Sequence, residues 1–274
     1  MPASTKISYH PVSSEDAPVL ARIHCDAFAD DILMDLMYGD HHSDLKNITK
    51  DLSDTIIADS TARFVKAVDD KSGELVGWSW WNIYHNSETH LAAAAAAKDL
   101  APPNTAISPE AFLEYHRATH AKREKWLSGR PVACKLCPHP GSLPYSSSVV
   151  PMLLGKIGIV REMGKAALQK RVHSVRIISL TLEIVLQVLV VRPTYQSQGI
   201  GTQLVKIGIP EIEALGLPAW VEASSKGSRI YEHCGFRDLE DYVDIDLAKY
   251  GGNGIRRGVC MLRNPSKQTS RIRG

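Results

Sequence analysis

The chain has 274 residues, 44% of them hydrophobic and 23% charged, with a formal net charge of +2 at pH 7. That is enough for a substantial core in an ordinary globular protein, and so slight a charge gives no reason to expect a nucleic-acid partner. The opening Met1-Pro2-Ala3-Ser4-Thr5-Lys6 has no apolar signal core, so a cytoplasmic protein is expected.

The longest apolar run, Ile177 to Val191, is too short to cross a bilayer as a helix and contains Glu183 and Gln187, so no membrane partner is expected. Five cysteines, an odd number, argue against a disulfide framework. Cys134-Lys135-Leu136-Cys137 with His139 could be half a zinc site, but no second pair completes it and no metal is expected.

In chain order, Lys6 to His10 reads as a first strand. Ser13-Ser14-Glu15-Asp16 offers a helix N-cap with an acid three residues on, and Leu20, Ile23, Ala27 and Phe28 form the stripe of that helix. A break and a second helix should follow between Ala27 and Tyr38, where Asp30 and Asp31 read as a solvated helix end that could also attract a cationic amine. Ala62 to Val68 and Glu74 to Ile83 form a hairpin around Asp69-Asp70-Lys71-Ser72-Gly73. On its second strand Trp78 and Trp80 share one face and Trp81 takes the other.

Six consecutive alanines between Leu91 and Lys98 predict a helix, ended by Pro102-Pro103, and Glu110 to Leu127 predicts an amphipathic one. Arg130 to Ser148 reads as a loop, and Val149 to Leu182 has no clean period. Ile184 to Val191 is nearly continuous in β-branched and aliphatic residues, as in a strand covered on both faces, and Pro193 should end it. Ile200, Leu204 and Ile207 then share a helical face, with Pro210 expected to kink that helix or to open a second segment. Trp220 to Ala223 is the next strand, followed by the Ser224-Ser225-Lys226-Gly227 turn and a short helix stopped by Gly235. Val243, Ile245 and Leu247 alternate with Asp244 and Asp246 as a half-exposed strand, and Gly258 to Leu262 reads as a last one.

The informative stretch is Leu189 to Thr202. A strand that turns through glycines into a helix leaves backbone N–H groups unpaired at the positive end of the helix dipole, a site for a phosphate or pyrophosphate. A dinucleotide fingerprint fails because Leu204 stands at its third glycine, and a P-loop fails for lack of its Lys. A different pattern is met: Gln196-Ser197-Gln198-Gly199-Ile200-Gly201 after Leu189-Val190-Val191 and Pro193. A second block follows, Trp220-Val221-Glu222-Ala223-Ser224, then Gly227, then Tyr231-Glu232-His233-Cys234-Gly235-Phe236.

Together these blocks resemble the GNAT superfamily of N-acyltransferases, well over residues 185–264 and weakly over 5–90. The resemblance implies an α/β (α+β) fold, a mixed, mostly antiparallel central sheet flanked by helices. It implies one domain over 1–274, an irregular insertion at about 90–183 and a short basic tail at about 265–274.

It also implies acetyl-CoA as cosubstrate and an amine of a small molecule or peptide as acceptor. Leu189, Val190 and Val191 would bind the pantetheine arm, and Gln196, Ser197, Gln198, Gly199, Ile200, Gly201 and Thr202 the pyrophosphate. Ser224 stands where relatives often have an Asn on CoA, and Tyr231 matches the tyrosine beside the CoA sulfur, a general acid. No base is legible where relatives often carry Glu or His, since Val185 and Gln187 occupy those positions. Glu222 is the better candidate, ahead of Glu183 and His173. A CoA-binding module without catalysis is the alternative.

Overall fold

The sheet is assembled from seven strands: β1 (Ile7–Pro11), β2 (Ala62–Asp69), β3 (Leu75–Tyr84), β4 (Glu183–Val191), β5 (Ala219–Ser224), β6 (Arg237–Asp246) and β7 (Ile255–Arg263). Their spatial order is β1-β2-β3-β4-β5-β7-β6, antiparallel throughout except for the parallel pair β4–β5. The computed structural model describes residues 6–40, 44–84, 100–127 and 183–266, which all lie in one compact unit, Met1–Ser128 with Thr181–Gly274. The expected alanine helix at 91–98, the loop and aperiodic stretch at 130–182, the Cys134/Cys137/His139 group, His173 and the tail beyond 266 lie outside the described residues.

One face of the sheet carries α1 (Ala17–Ala27), α2 (Ile32–Tyr38), α3 (Leu45–Ala58) and α4 (Pro109–Leu127). The first helical turn is preceded by the capping box the sequence suggests: Ser13 N–H donates to Asp16 Oδ2 at 2.8 Å. Leu20 and Ile23 of α1 pack with Trp78 and Val190, and the Trp78 indole N–H donates to the Leu20 carbonyl at 3.1 Å. Helix α3 was not anticipated. Leu45, Ile48, Leu52 and Ile56 recur at helical spacing and all join that cluster.

Helix α4 falls inside the expected insertion, yet it is part of the core. Ala111, Phe112 and Leu127 are buried with Trp220, Ile245 and Leu262. Its far end is stapled to β6, where Asp241 accepts from Lys122, from Lys125 at 2.6 Å and from the Trp126 indole at 2.8 Å. These donors hold the Asp241 carboxyl well below the usual carboxylate range, the Lys122 bond contributing most.

The other face carries α5 (Ile200–Leu215) and α6 (Ser228–His233). Trp81 lies on this side with Ile184, Leu186 and Val205, whereas Trp78 and Trp80 lie on the other, as their alternation predicts. Helix α5 runs through Pro210 without breaking into two segments. Gly208 lets it approach the sheet, since a β-carbon there would sit 2.8 Å from the Trp81 ring. Leu247 belongs to a 3-10 turn after β6 and not to the strand.

The register creates the site. Trp80 pairs with Val188 and Trp81 with Leu186, so Gln187 is a bulged residue in β4. Strand β4 meets β5 only at Ile184–Ala219 and Val185–Trp220. Beyond those pairs no described residue continues the ladder with β5, and Leu189, Val190 and Val191 at the end of β4 border a cleft.

Candidate functional site

The first wall of the cleft is the end of β4 and the turn into α5. Arg192 N–H continues the ladder to the Val76 carbonyl at 2.8 Å, and Pro193 then opens a 3-10 turn to Tyr195. The turn is held from outside by the β2–β3 hairpin: Tyr195 OH donates to Asp69 Oδ2 at 3.0 Å, and Arg192 Nε lies 3.3 Å from Glu74. It is held from inside by the Gln196 side chain, whose amide donates to the Val191 carbonyl at 3.0 Å.

Ser197 and Gly199 both have positive φ, 61° and 81°. Gly199 is the N-cap of α5 and no side chain caps the helix there, so its first N–H groups open into the cleft. A β-carbon on Gly199 would meet nothing within 4 Å, whereas one on Gly201 would come 3.3 Å from Ile230. Gly199 therefore serves the backbone turn and leaves open space above it, and Gly201 serves the packing of α5 on α6.

The opposite wall is the end of β5 and α6. Ser224 Oγ accepts from the Gly227 N–H at 3.1 Å, shaping the turn into α6. At its other end, Phe236 N–H donates to the Tyr231 carbonyl and Gly235 N–H to the Glu232 carbonyl, both at 3.0 Å. This is a Schellman closure with Gly235 at φ 83°. The closure brings Phe236 edge-on to Tyr231, with ring centroids 5.9 Å apart. The Tyr-x-x-x-Gly-Phe spacing is thus a local device that fixes one buried tyrosine. Burial, and secondarily Cys234, raises the Tyr231 phenol above its ordinary pKa, so the group stays protonated at neutral pH.

The cleft between these walls has a volume of about 1020 Å³. Its lining includes Leu189, Val190, Val191, Gln196, Ser197, Gly199, Ile200, Gly201, Thr202, Ser224 and Tyr231. Gln198 is outside the lining, and its side-chain amide donates back to the Thr194 carbonyl at 3.3 Å. Glu222 is outside it as well. It shares a strand face with Trp220, whose indole N–H donates to its carboxylate, and Arg123 of α4 lies 3.5 Å away. The geometry thus gathers the predicted binding residues other than Gln198, together with Tyr231, but leaves Glu222 engaged under α4. A smaller cavity, about 580 Å³, lies between α5 and β1–β3 and contains none of the predicted residues.

The remaining wall comes from the α1–α2 turn and from the β6–β7 segment. Asp31 N-caps α2, accepting from Leu33 N–H at 3.1 Å, and its other oxygen accepts from Arg256 Nε and Nη2 at 3.2 and 3.0 Å. Asp26 lies 3.5 Å from Arg192. Asp31 is therefore a helix cap, as the sequence suggests, and in addition a bridge to β7 that the sequence does not reveal. None of the three tryptophans of β3 lines the cleft; Trp78 and Trp81 are buried in the core and Trp80 packs half-buried against it. Among the described residues, no group of three or more His, Cys, Asp or Glu could hold a metal ion, and no helix is long and apolar enough to cross a membrane.

A strand whose parallel pairing stops short of a glycine turn is matched at the level of sequence. The family model described as an acetyltransferase (GNAT) domain covers residues 155–238, which include β4, the turn, α5, β5 and α6. Over those residues the chain is similar to the GNAT acetyltransferase family.

Two solved structures share the fold. One is described as histone acetyltransferase HPA2 and related acetyltransferase from Corynebacterium glutamicum, 15% identical, with a TM-score of 0.50 over 96% of this chain and 98% of that one. The other is arylalkylamine N-acetyltransferase 2 from Aedes aegypti, 12% identical, with a TM-score of 0.53 over 95% of this chain and all of that one. At such identities the likeness concerns the fold. No curated protein matches the sequence.

Proposed function

We propose that this protein is a GNAT-type N-acetyltransferase that moves the acetyl group of acetyl-CoA to a primary amine of a small molecule or peptide by direct attack. The observation that carries this reading is the single cleft in which the β4 edge without a β5 partner, the uncapped N-terminus of α5 and the protonated Tyr231 meet. Open space above Gly199 leaves room for a pyrophosphate against the backbone N–H groups, and the β4 edge from Leu189 to Val191 offers backbone groups to a pantetheine arm. Ser224 borders the far side, while Gln198 supports the turn through Thr194.

The chemistry asks for a neutral amine, a polarised carbonyl and a protonated leaving thiolate. The amine nitrogen forms a bond to the thioester carbon and the C–S bond breaks. Tyr231 supplies its phenolic proton to the departing sulfur, and the proton lost by the amine leaves through water. Water is the assigned route because Glu222 is held by Trp220 and Arg123 outside the cleft lining.

Titration calorimetry with acetyl-CoA, followed by turnover with a panel of primary amines, tests the proposal. Saturable binding with thiol release on amine addition is expected. Tight acetyl-CoA binding with no turnover across the panel would instead establish a CoA-binding module without catalysis.

A further inference from the structure

Eight large hydrophobic side chains are exposed among the described residues, and two of them, Ile32 and Ile255, line the cleft. Isolated exposed apolar residues need no explanation, but these two border the same cleft. Ile32 follows Asp31 and Ile255 precedes Arg256, and the Asp31–Arg256 ion pair brings the two dipeptides together. The charged side chains lie mostly covered, 18% and 28% exposed, while the isoleucines are 48% and 65% exposed. The charges are thus matched within the wall, and the apolar groups are presented at its lip.

The wall is fixed in place. Asp31 also caps α2, and a β-carbon on Gly252 would lie 3.4 Å from Ile32 Cγ2, so the loop after β6 packs on the start of α2. Phe28 extends the apolar surface, and the exposed Asp30 stands between it and Ile32 in sequence.

We infer that the acceptor is a primary amine bearing an apolar substituent, which rests on Ile32 and Ile255 while its nitrogen enters past Asp30. This rests on the acetyl-transfer reading above and adds the chemical class of its acceptor. Polyamines and strongly hydroxylated amines are disfavoured at this lip, because Asp31 and Arg256 are paired to each other and Asp30 offers one carboxylate to one ammonium.

The test is a series of primary amines of matched basicity, with alkyl or aryl substituents against hydroxylated ones of equal size, given to the wild type, Ile32→Ser and Ile255→Ser. The wild type is expected to prefer the apolar amines, and each variant to lose about tenfold in kcat/KM for them, with hydroxylated amines little changed. The acetyl-CoA Kd should be the same in all three proteins. Equal use of hydroxylated amines by the wild type, or a uniform loss across the series, would overturn the inference. If acetyl-CoA binds without turnover, titrating the amines into the CoA complex reads the same preference directly. If acetyl-CoA does not bind at all, the enzymatic reading falls, and titration of the amines into the free protein still decides whether the lip selects apolar ones.

Discussion

The two sides of the cleft are built by different means. The side proposed to take the cofactor is made of backbone: two positive-φ residues, an uncapped helix, a strand edge without a β5 partner and a Schellman closure. The side proposed to take the acceptor is made of side chains from distant segments, with Asp31 and Arg256 bridging 225 positions of sequence. Backbone conformations restrict which residues can stand at a position, and so leave a short local pattern. A side-chain wall can be built from many residue combinations, and changes in it should shift selectivity while leaving the cofactor turn intact.

The largest effect that would test this contrast is at Gly199. Gly199→Val places a β-branched residue at φ 81° and puts its side chain into the open space of the turn. The strain is of the order of 1–3 kcal/mol, which the folded domain can absorb. Acetyl-CoA binding should fall at least about 100-fold while circular dichroism stays unchanged. Retained binding would mean that the turn is not the phosphate site, and the backbone side of the comparison would fail.

Next is Tyr231→Phe, which keeps the ring packed on Phe236 and removes only the hydroxyl. As general acid, Tyr231 should contribute about 100-fold to kcat, so kcat should drop by that order with acetyl-CoA Kd unaltered. An unchanged kcat would reduce Tyr231 to a packing residue and sharpen the view that this side of the cleft acts through backbone alone.

How far the sequence could be read follows from the same distinction. Gly199, Gly201, Tyr231 and Gly235 were legible because each answers a conformational or packing demand within a few residues. The surroundings of Glu222 are not legible for a tertiary reason. Strand parity puts it on the face of Trp220, but the indole and Arg123 that engage it become visible only when α4 is docked. Helix α4 was recognised as a helix yet assigned to an insertion, since its amphipathic pattern does not say which surface it covers. Helix α3 carries its period in Leu45, Ile48, Leu52 and Ile56, although it is absent from the expected elements. Arg256 has no local signature, because its partner Asp31 lies at the other end of the chain.

The packing behind the acceptor side should respond to pH where the cofactor side does not. Tyr38 OH of α2 and His116 Nε2 of α4 are hydrogen-bonded at 3.3 Å. Burial, then the nearby Arg123, lowers the His116 pKa from 6.5 to about 4. In the unfolded chain His116 takes its proton at the higher value, so stability is complete above about pH 6.5 and falls as pH drops toward 4. The loss attributable to this group is roughly 3 kcal/mol at most. Denaturant midpoints measured across that window should decline in the wild type and decline less in His116→Gln.

The smallest expected effect probes the outer support of the cofactor turn. Tyr195→Phe removes the hydroxyl that donates to Asp69 and so loosens the turn from the β2–β3 hairpin. Arg192 still ties it through the Leu75 carbonyl at 3.1 Å and through Glu74, and Gln196 still holds Val191. With three supports left, acetyl-CoA Kd should rise only about threefold, and acceptor selectivity should not change. A shift in acceptor preference would show that the two sides of the cleft are mechanically coupled. The route for that coupling is Arg192, which lies 3.5 Å from Asp26 on the acceptor side while it braces the turn on the other.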